Sequence, residues 1–364
     1  VSVPSPDESP EVAEGRALYT RYCALCHGAR AEGHAADHAP ALANEELLRI
    51  ASDDYLTQSI LEGRSGTPMS AFSEDVGGPL SDEDVAKIVA FLRSHQEAPS
   101  IRLIDEPVHG DPVRGLPIFR EHCEECHAIG ERRETKGPRL DHPAFLALAS
   151  NAFIERSIRV GRPDTPMEGW QGRLRPDQIN DLVALIRSWA PDRNADPTRR
   201  ELFGGGEDPH QHDAHGDVSA QIVEMWEALS DEELVLGAVG APGPAFDLSE
   251  RWYVSAAELR AALAADQRMI LLDARPMSDW LVGHLPGALP VPFYVDHESL
   301  DRIPKDGTWV VIYCGCPHAA ADRVAQRLSQ RGVQNIAVLD EGFWFWKDHD
   351  YPIVTGPERF QSAR

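Results

Sequence analysis

The pentapeptides CALCH (23–27) and CEECH (123–127) constrain this chain more than anything else in it. Each sets two thiols one helical turn apart with a histidine directly after the second. They begin 100 residues apart and lie on a longer repeat. EGRALYTRYCALCHGA (14–29) matches RGLPIFREHCEECHAI (114–129). ILEGRSGTPMSAF (60–72) matches SIRVGRPDTPMEGW (157–170), and SDEDVAKIVAFLRSH (81–95) matches RPDQINDLVALIRSW (175–189). Each copy reads as helix, CxxCH, irregular loop, short helix, Met loop and final helix. The final helices carry apolar residues at helical spacing: Val85, Ile88, Val89 and Leu92 in one, Ile179, Leu182, Val183 and Ile186 in the other. Ser81 with Asp84 predicts a helix cap and a first-turn acid.

The mechanical reading of CxxCH is haem attachment. Cys23 with Cys26, and Cys123 with Cys126, add to haem vinyl groups, and His27 and His127 reach the iron. A zinc-binding Cys pair with a stray His would leave the rest of the repeat unexplained. For the sixth ligand, Met69 follows His27 by 42 residues and Met167 follows His127 by 40, both in TPM. Competing ligands are His34 and His38 for the first site and His142 for the second. Met225, Met269 and Met277 lie outside the repeats, and packing accounts for them. Residues 11–98 and 110–190 therefore resemble two tandem class I cytochrome c domains. The resemblance implies two small all-α folds, two covalent haem c groups, one-electron transfer and assembly in the periplasm.

The formal charge of -24 argues against nucleic acid as a partner. The acid is uneven: residues 1–100 carry 17 acidic against 7 basic side chains, and residues 191–250 carry 14 against 3. A basic redox partner would suit the first region; general solubility is the plainer explanation. No run of 18 apolar residues is present, so no transmembrane segment is expected. Residues 1–10 read as a flexible Pro/Ser-rich lead-in, following a removed export signal or a trimmed anchor. Residues 191–250 read as an acidic linker holding one helix, with Ile222, Trp226 and Leu229 on one face. Its His210, His212 and His215 form either a metal site or solvated linker.

Residues 251–364 alternate helix and strand, which predicts an α/β domain with a mainly parallel sheet. Ser255 and Glu258 read as a capping box. In VVIYCGCPHAAADRVAQRL (310–328) a buried strand ends at Cys314 and a helix starts near Ala319. Backbone donors and a helix N-terminus there favour thiolate, persulfide or a sulfur oxyanion. Together with LLDARPMSDWLVGHLPGALPVPF (271–293) and VLDEGFWFWKDHDYPI (338–353), this stretch resembles a single rhodanese domain. The resemblance implies a nucleophilic Cys carrying sulfane sulfur, at the position of Cys314. Asp273, Arg275 and His284 match family positions read as scaffold. His318 is the loop's one candidate cation, and Glu341 stands where Gly is usual. Cys316 is a resolving thiol or a small loop residue, and Cys314, Cys316 and His318 together could instead hold a soft metal.

Two haems store two electrons, and a sulfur–sulfur bond made from two thiol-level sulfurs releases two. The expectation is a multidomain protein, two all-α cytochrome c domains followed by an α/β rhodanese domain, acting as a sulfur-compound oxidoreductase. Its partners would be an inorganic sulfur species or a low-molecular-weight persulfide, and another cytochrome or an oxidase. The alternative is a dihaem electron-transfer protein whose rhodanese domain binds or transfers sulfane sulfur, as a sulfurtransferase, without redox coupling.

Overall fold

The computed structural model describes residues 8–33, 39–64, 66–127, 129, 136–190, 218–315 and 318–360. The chain divides into two compact units, one drawn from residues 1–65 and 81–207, the other from 66–80 and 208–364. Helical repeats followed by a parallel-sheet domain are the architecture expected from the sequence.

In the first unit, the first repeat supplies α1 (Pro10–Tyr22), α2 (Ala24–His27), α3 (Glu45–Ile50), α4 (Asp53–Leu61) and α5 (Asp82–Arg93). The second repeat supplies α6 (Pro112–His122), α7 (Pro143–Leu148), α8 (Asn151–Val160) and α9 (Pro176–Ser188). Ser81 and Asp84 close a reciprocal capping box at the start of α5, as their spacing predicts. In each repeat the first helix crosses the last at a glycine. A Cβ on Gly15 would lie 1.9 Å from the Lys87 carbonyl oxygen, and one on Gly115 would lie 2.3 Å from that of Asp181. Only a missing side chain lets the two backbones approach so closely. Buried aromatics fill in beside each crossing, Tyr19 against Phe91 and Phe119 against Trp189. The repeats meet through equivalent helices: Tyr55 of α4 stacks on Phe153 of α8 with centroids 4.9 Å apart. The guanidinium of Arg156 donates to the buried carboxylate of Glu46, and the Asn44 amide donates to the Pro163 carbonyl.

The second unit is built on a five-stranded, all-parallel sheet. Its strands are β1 (Tyr253–Val254), β2 (Met269–Asp273), β3 (Leu289–Pro290), β4 (Trp309–Tyr313) and β5 (Ile336–Leu339), in the order β1-β5-β4-β2-β3. Every residue of β2 and β5 is buried, the continuous apolar pattern of strands covered on both faces. The helices of this unit are α10 (Val218–Ala228), α11 (Ala256–Ala264), α12 (Met277–Val282), α13 (Ala319–Gln330) and α14 (Gly342–Asp348). Helix α10 buries Ile222 and Trp226, and Arg302 donates to the carbonyls of Trp226 and Leu229 at its end. Ser255 caps α11 through the Glu258 amide, and the Glu258 carboxylate accepts from Ser255 Oγ at 2.7 Å and from the Asp247 amide at 3.0 Å. The Ala256 amide is satisfied instead by Glu341, 2.8 Å away, which gives that acid a reason to stand where glycine is usual.

The segment Gly66–Leu80, which carries the first TPM, belongs to this second unit. It folds tightly on itself: the Leu80 amide donates to Phe72 O, the Glu74 amide to Leu80 O, and the Gly78 amide to Ser73 O. It lies on α12, where Ser70 Oγ donates to Asp279 Oδ2 at 2.7 Å and Ser278 Oγ donates to Ala71 O at 2.8 Å.

Candidate functional site

The two CxxCH turns have the same internal geometry. The amides of Cys26 and His27 both donate to Cys23 O, and those of Cys126 and His127 to Cys123 O. One turn of helix therefore fixes the two sulfurs and the imidazole together. Both rings are buried and held by one nitrogen: His27 Nδ1 donates to Pro40 O at 3.0 Å and His127 Nδ1 to Pro138 O at 2.8 Å. With the proton fixed on Nδ1, the Nε2 lone pair is left for a metal. Burial pushes both imidazoles below their ordinary pKa, which favours the neutral, ligating form. Burial also pushes the Cys23 thiol up to about 12 and the Cys123 thiol up to about 11. A neutral thioether suits such surroundings. The residues present thus fit a covalent haem with a histidine ligand.

The two Met loops also share a turn. The Met69 amide donates to Thr67 Oγ1 and the Met167 amide to Thr165 Oγ1, both at 3.2 Å. Upstream, Arg64 binds Ser59 Oγ and Gly63 O, and Arg162 binds Ser157 Oγ and Gly161 O. His142, one of the competing ligands, caps α7 through its Nδ1, which accepts from the Ala144 amide. His34, His38 and the linker histidines lie outside the described residues.

Cys314 follows β4 at the carboxyl edge of the sheet and is fully buried. Its strand lies between β5 and β2, where the strand order reverses, the place at which open α/β sheets bind ligands. From the end of β2, Arg275 reaches the same loop: a Cβ on Gly315 would lie 3.4 Å from Arg275 Cδ and 3.3 Å from Trp344 Nε1. The guanidinium is locked. It donates to both carboxylate oxygens of Asp273, with the shortest bond 2.6 Å, and to Gly283 O, and it stacks 3.6 Å from the centroid of Phe343. Burial works to discharge Arg275, but the Asp273 carboxylate outweighs it and holds the group more firmly charged than usual. His284 is buried flat against Trp280, with its ring nitrogens facing the carbonyls of Trp280 and Glu358, which ties the chain after α12 to the C-terminal segment.

His318 stands at the start of α13. Its Nε2 pairs with Asp340 at 2.7 Å and its ring stacks on Tyr253 at 3.9 Å. Cys316 lies outside the described residues. Sequence reasoning sought a cation inside the loop. The structure also packs the stem of Arg275, its guanidinium paired with Asp273, against that loop, and the signal was the Asp-x-Arg after β2.

Residues 10–92 match the family described as cytochrome c oxidase, cbb3-type, subunit III, and residues 255–349 match the rhodanese-like domain family. Over 185 residues the chain is 29% identical to the Cbb3-type cytochrome c oxidase subunit FixP of Bradyrhizobium sp. (strain ORS 278), covering 48% of this chain and 60% of that protein. It is 32% identical over 96 residues to the dihydro-heme d1 dehydrogenase of Pseudomonas aeruginosa, covering 26% of this chain and 19% of that one. Among solved structures, the thiosulfate sulfurtransferase of Pseudomonas aeruginosa aligns at 26% identity and TM-score 0.27, covering 29% of this chain and 20% of that one. The chain thus spans well under two thirds of the length of these relatives.

A c-type electron carrier is therefore joined here to a sulfurtransferase-type α/β domain. The chain is a fusion of an N-terminal cytochrome c domain and a C-terminal rhodanese domain. The cytochrome c match implies covalently bound haem c. No helix among the described residues is long and apolar enough to cross a membrane.

Proposed function

We propose that this chain is a periplasmic dihaem cytochrome–rhodanese that binds a sulfur species on Cys314 as a persulfide and passes on the electrons of its oxidation. The observation that carries this reading is the setting of Cys314: a buried cysteine at the strand-order reversal, with the stem of Arg275 packed against the next loop residue, on one chain with two matching CxxCH turns. Cys23, Cys26 and His27 with Met69 would hold the first haem, and Cys123, Cys126 and His127 with Met167 the second. Each haem, when bound, supplies a one-electron acceptor. The alignment over 185 residues, longer than one repeat, supports two.

The chemistry balances with hydrogen sulfide as donor. The Cys314 thiolate and HS⁻ form an S–S bond, the S–H bond breaks, and the products are Cys314–S–S⁻, one proton and two electrons. Arg275 provides the fixed positive charge that favours the persulfide anion in a buried site. A low-molecular-weight persulfide could load the same cysteine by exchange, with no net electrons released. The electrons leave to another cytochrome or an oxidase, and a basic docking face on that partner would complement the acidic first hundred residues.

The test is anaerobic. Ferric protein mixed with sulfide should lose its ferric spectrum at both haems in wild type and much more slowly in Cys314→Ser. The haem potentials of the mutant should be unchanged. A persulfide adduct of ~32 Da, the mass of one added sulfur, should sit on the Cys314 peptide. Equal reduction rates in both proteins would overturn the redox reading and leave a rhodanese domain that only carries sulfur.

A further inference from the structure

Helix α12 touches two things that the sequence treats as unrelated. On one side it belongs to the Cys314 site. Arg275 Nη2 donates to Gly283 O at 2.6 Å, the Gly283 amide donates to Asp279 O at the end of α12, and Arg275 borders Gly315, the residue after Cys314. On the other side α12 seats the loop that carries Met69. Ser70, the residue after Met69, donates to Asp279 Oδ2 at 2.7 Å, and Ser278 Oγ donates to Ala71 O at 2.8 Å. Gly77, at φ 81, comes down on the same helix, where a Cβ would sit 3.1 Å from Leu281 Cδ1 and 3.7 Å from the Ser278 backbone. Trp280, fully buried, anchors the helix by donating from Nε1 to Ala288 O. The loop is therefore held by a helix that is itself fixed in the sheet domain.

The second Met loop is tied elsewhere, to the first repeat through the Asn44 amide donating to Pro163 O at 2.7 Å. Met167 is held by its own repeat: the Arg162 amide donates to Met167 O at 2.7 Å, and a Cβ on Gly161 would lie 2.4 Å from that same oxygen. Two loops with the same Thr-Pro-Met turn are thus braced in different ways.

We infer that Asp279 is a positioning residue that couples the Cys314 site to the Met69 loop, so that loading sulfur on Cys314 alters the potential of the first haem and not of the second. The inference rests on Cys314 as sulfur carrier and Met69 as iron ligand. The connection is continuous: Cys314 to Gly315 by the backbone, Gly315 to Arg275 by packing, Arg275 to Gly283 O and Gly283 to Asp279 O by hydrogen bonds, Asp279 to Ser70 by a hydrogen bond, and Ser70 to Met69 by the backbone. A persulfide anion on Cys314 perturbs Arg275 and its bond to the end of α12, and the change reaches the loop through Asp279 and the Ser70 bond. By reciprocity, the oxidation state of the first haem alters how tightly Cys314 holds its sulfur.

The experiment is a spectroelectrochemical titration of the full dihaem protein, with Met69→His marking which midpoint belongs to the first haem. It is run before and after loading with glutathione persulfide, which exchanges its outer sulfur for the Cys314 thiol proton and leaves as glutathione. In wild type, loading should lower the first midpoint and leave the second in place. In Asp279→Asn the unloaded first midpoint should move, because the group that accepts from Ser70 is changed, and the loading shift should vanish. Ser70→Ala removes one hydroxyl and keeps every packing contact of the loop backbone, so it should also lose the loading shift while folding normally. A loading shift that survives intact in both variants overturns the inference, as does a shift of equal size at the second haem. Absence of the sulfur adduct on Cys314 would sink the carrier reading instead, and the unloaded midpoints of the two variants would still decide the role of Asp279: unchanged midpoints reject it.

Discussion

The two CxxCH repeats differ least in the contacts around the CxxCH turn and the helix crossing, and most in the loop after the Met. Their supporting contacts correspond atom for atom. Arg93 of α5 donates to the carbonyls of Leu48 and Ala51 and to Asp53. Arg187 of α9 donates to the carbonyls of Leu146 and Ala149 and to Asn151. Each clamp satisfies carbonyls at the C-terminal end of the third-position helix, α3 or α7, that would otherwise be left open. The histidine anchors, the threonine turns before each Met and the glycine crossings repeat in the same way. The divergence begins after the Met. In the first repeat the loop runs from the end of α4 at Leu61 to α5 at Asp82, carries a 3₁₀ turn over Glu74–Val76 and lies on α12. In the second it runs only from Val160 to Pro176 and is braced by Gly161 and Arg162. The scaffold contacts are shared, and among the described residues only the first Met loop is bonded to α12.

The change with the largest expected effect tests whether the scaffolds are equivalent. Gly15→Ala and Gly115→Ala each place a methyl inside contact distance of a backbone oxygen, so the helices must part. Overpacking of this kind costs about 1–3 kcal/mol and more where backbone has to move. Guanidinium unfolding of the haem-loaded protein should show losses of similar size in the two variants. A loss confined to one would mean that the crossings are not equivalent.

The next change separates the Met loops. Met69→His and Met167→His should each lower the potential of one haem and leave the other in place, by on the order of 0.1 V within the ~0.8 V that axial ligands span. A ferric protein lacking the near-infrared band of methionine–iron ligation would count against both assignments. If the first loop answers to α12, Met69→His should also abolish the response of that haem to sulfur loading. Met167→His should leave it intact.

The fraction of this molecule that could be read from its sequence follows from how local each signal is. CxxCH, TPM and the Ser81–Asp84 cap are short and self-contained, and the parallel strands announce themselves as apolar runs. The repeated glycines at 15 and 115 and the repeated arginines at 93 and 187 stood in the aligned segments, but their partners are 36 to 72 residues away and no local rule points to them. Arg275 was visible as a motif residue, yet its place against Gly315 depends on the β2–β4 pairing. The Ser70–Asp279 bond joins residues 209 apart and leaves no pattern of spacing at all. Glu341 shows the same limit in reverse: it departs from the expected residue because a distant helix start needs an acceptor.

Acid should distinguish the repeats more gently. Asp181 is buried at the α6–α9 crossing, accepts from the Asp111 amide and pairs with Arg114 at 2.8 Å. The hydrogen bonds from Arg114, helped by the Asp111 amide, hold its carboxyl below the ordinary value of 3.8. A depressed folded pKa contributes stability that is fully present above the unfolded value and is lost as pH falls through the folded one. The second repeat should therefore weaken as pH drops below about 3.8, and Asp181→Asn should flatten that part of the curve. At the corresponding crossing in the first repeat the acid is Glu14, exposed. Circular dichroism against pH on wild type and Asp181→Asn checks this outcome.

The smallest expected effect comes from the sign of that ion pair. At equivalent places on the two crossings, the first repeat sets Glu14 on α1 against Lys87 on α5, 3.0 Å apart, while the second sets Arg114 on α6 against Asp181 on α9. The same two helices are joined by the same kind of pair with its charges exchanged. Exposed pairs contribute little, because water and salt screen them and ordering two long side chains costs entropy. Exchanging the charges in the first repeat, Glu14→Arg with Lys87→Asp, should thus move the unfolding midpoint less than any change above. Either single substitution places like charges together and should cost more than the pair. That pattern would assign the crossing to the glycine and the apolar stripe, with the ion pair acting on which helix pairs with which: an α1 that prefers α5 and an α6 that prefers α9. With the swap in place, both N-terminal helices carry Arg and both C-terminal helices carry Asp at this position, so the discrimination between correct and crossed pairing disappears. Slower refolding of the swapped protein, at nearly unchanged stability, is the expected result. Refolding at the wild-type rate would show that chain connectivity alone keeps the repeats apart.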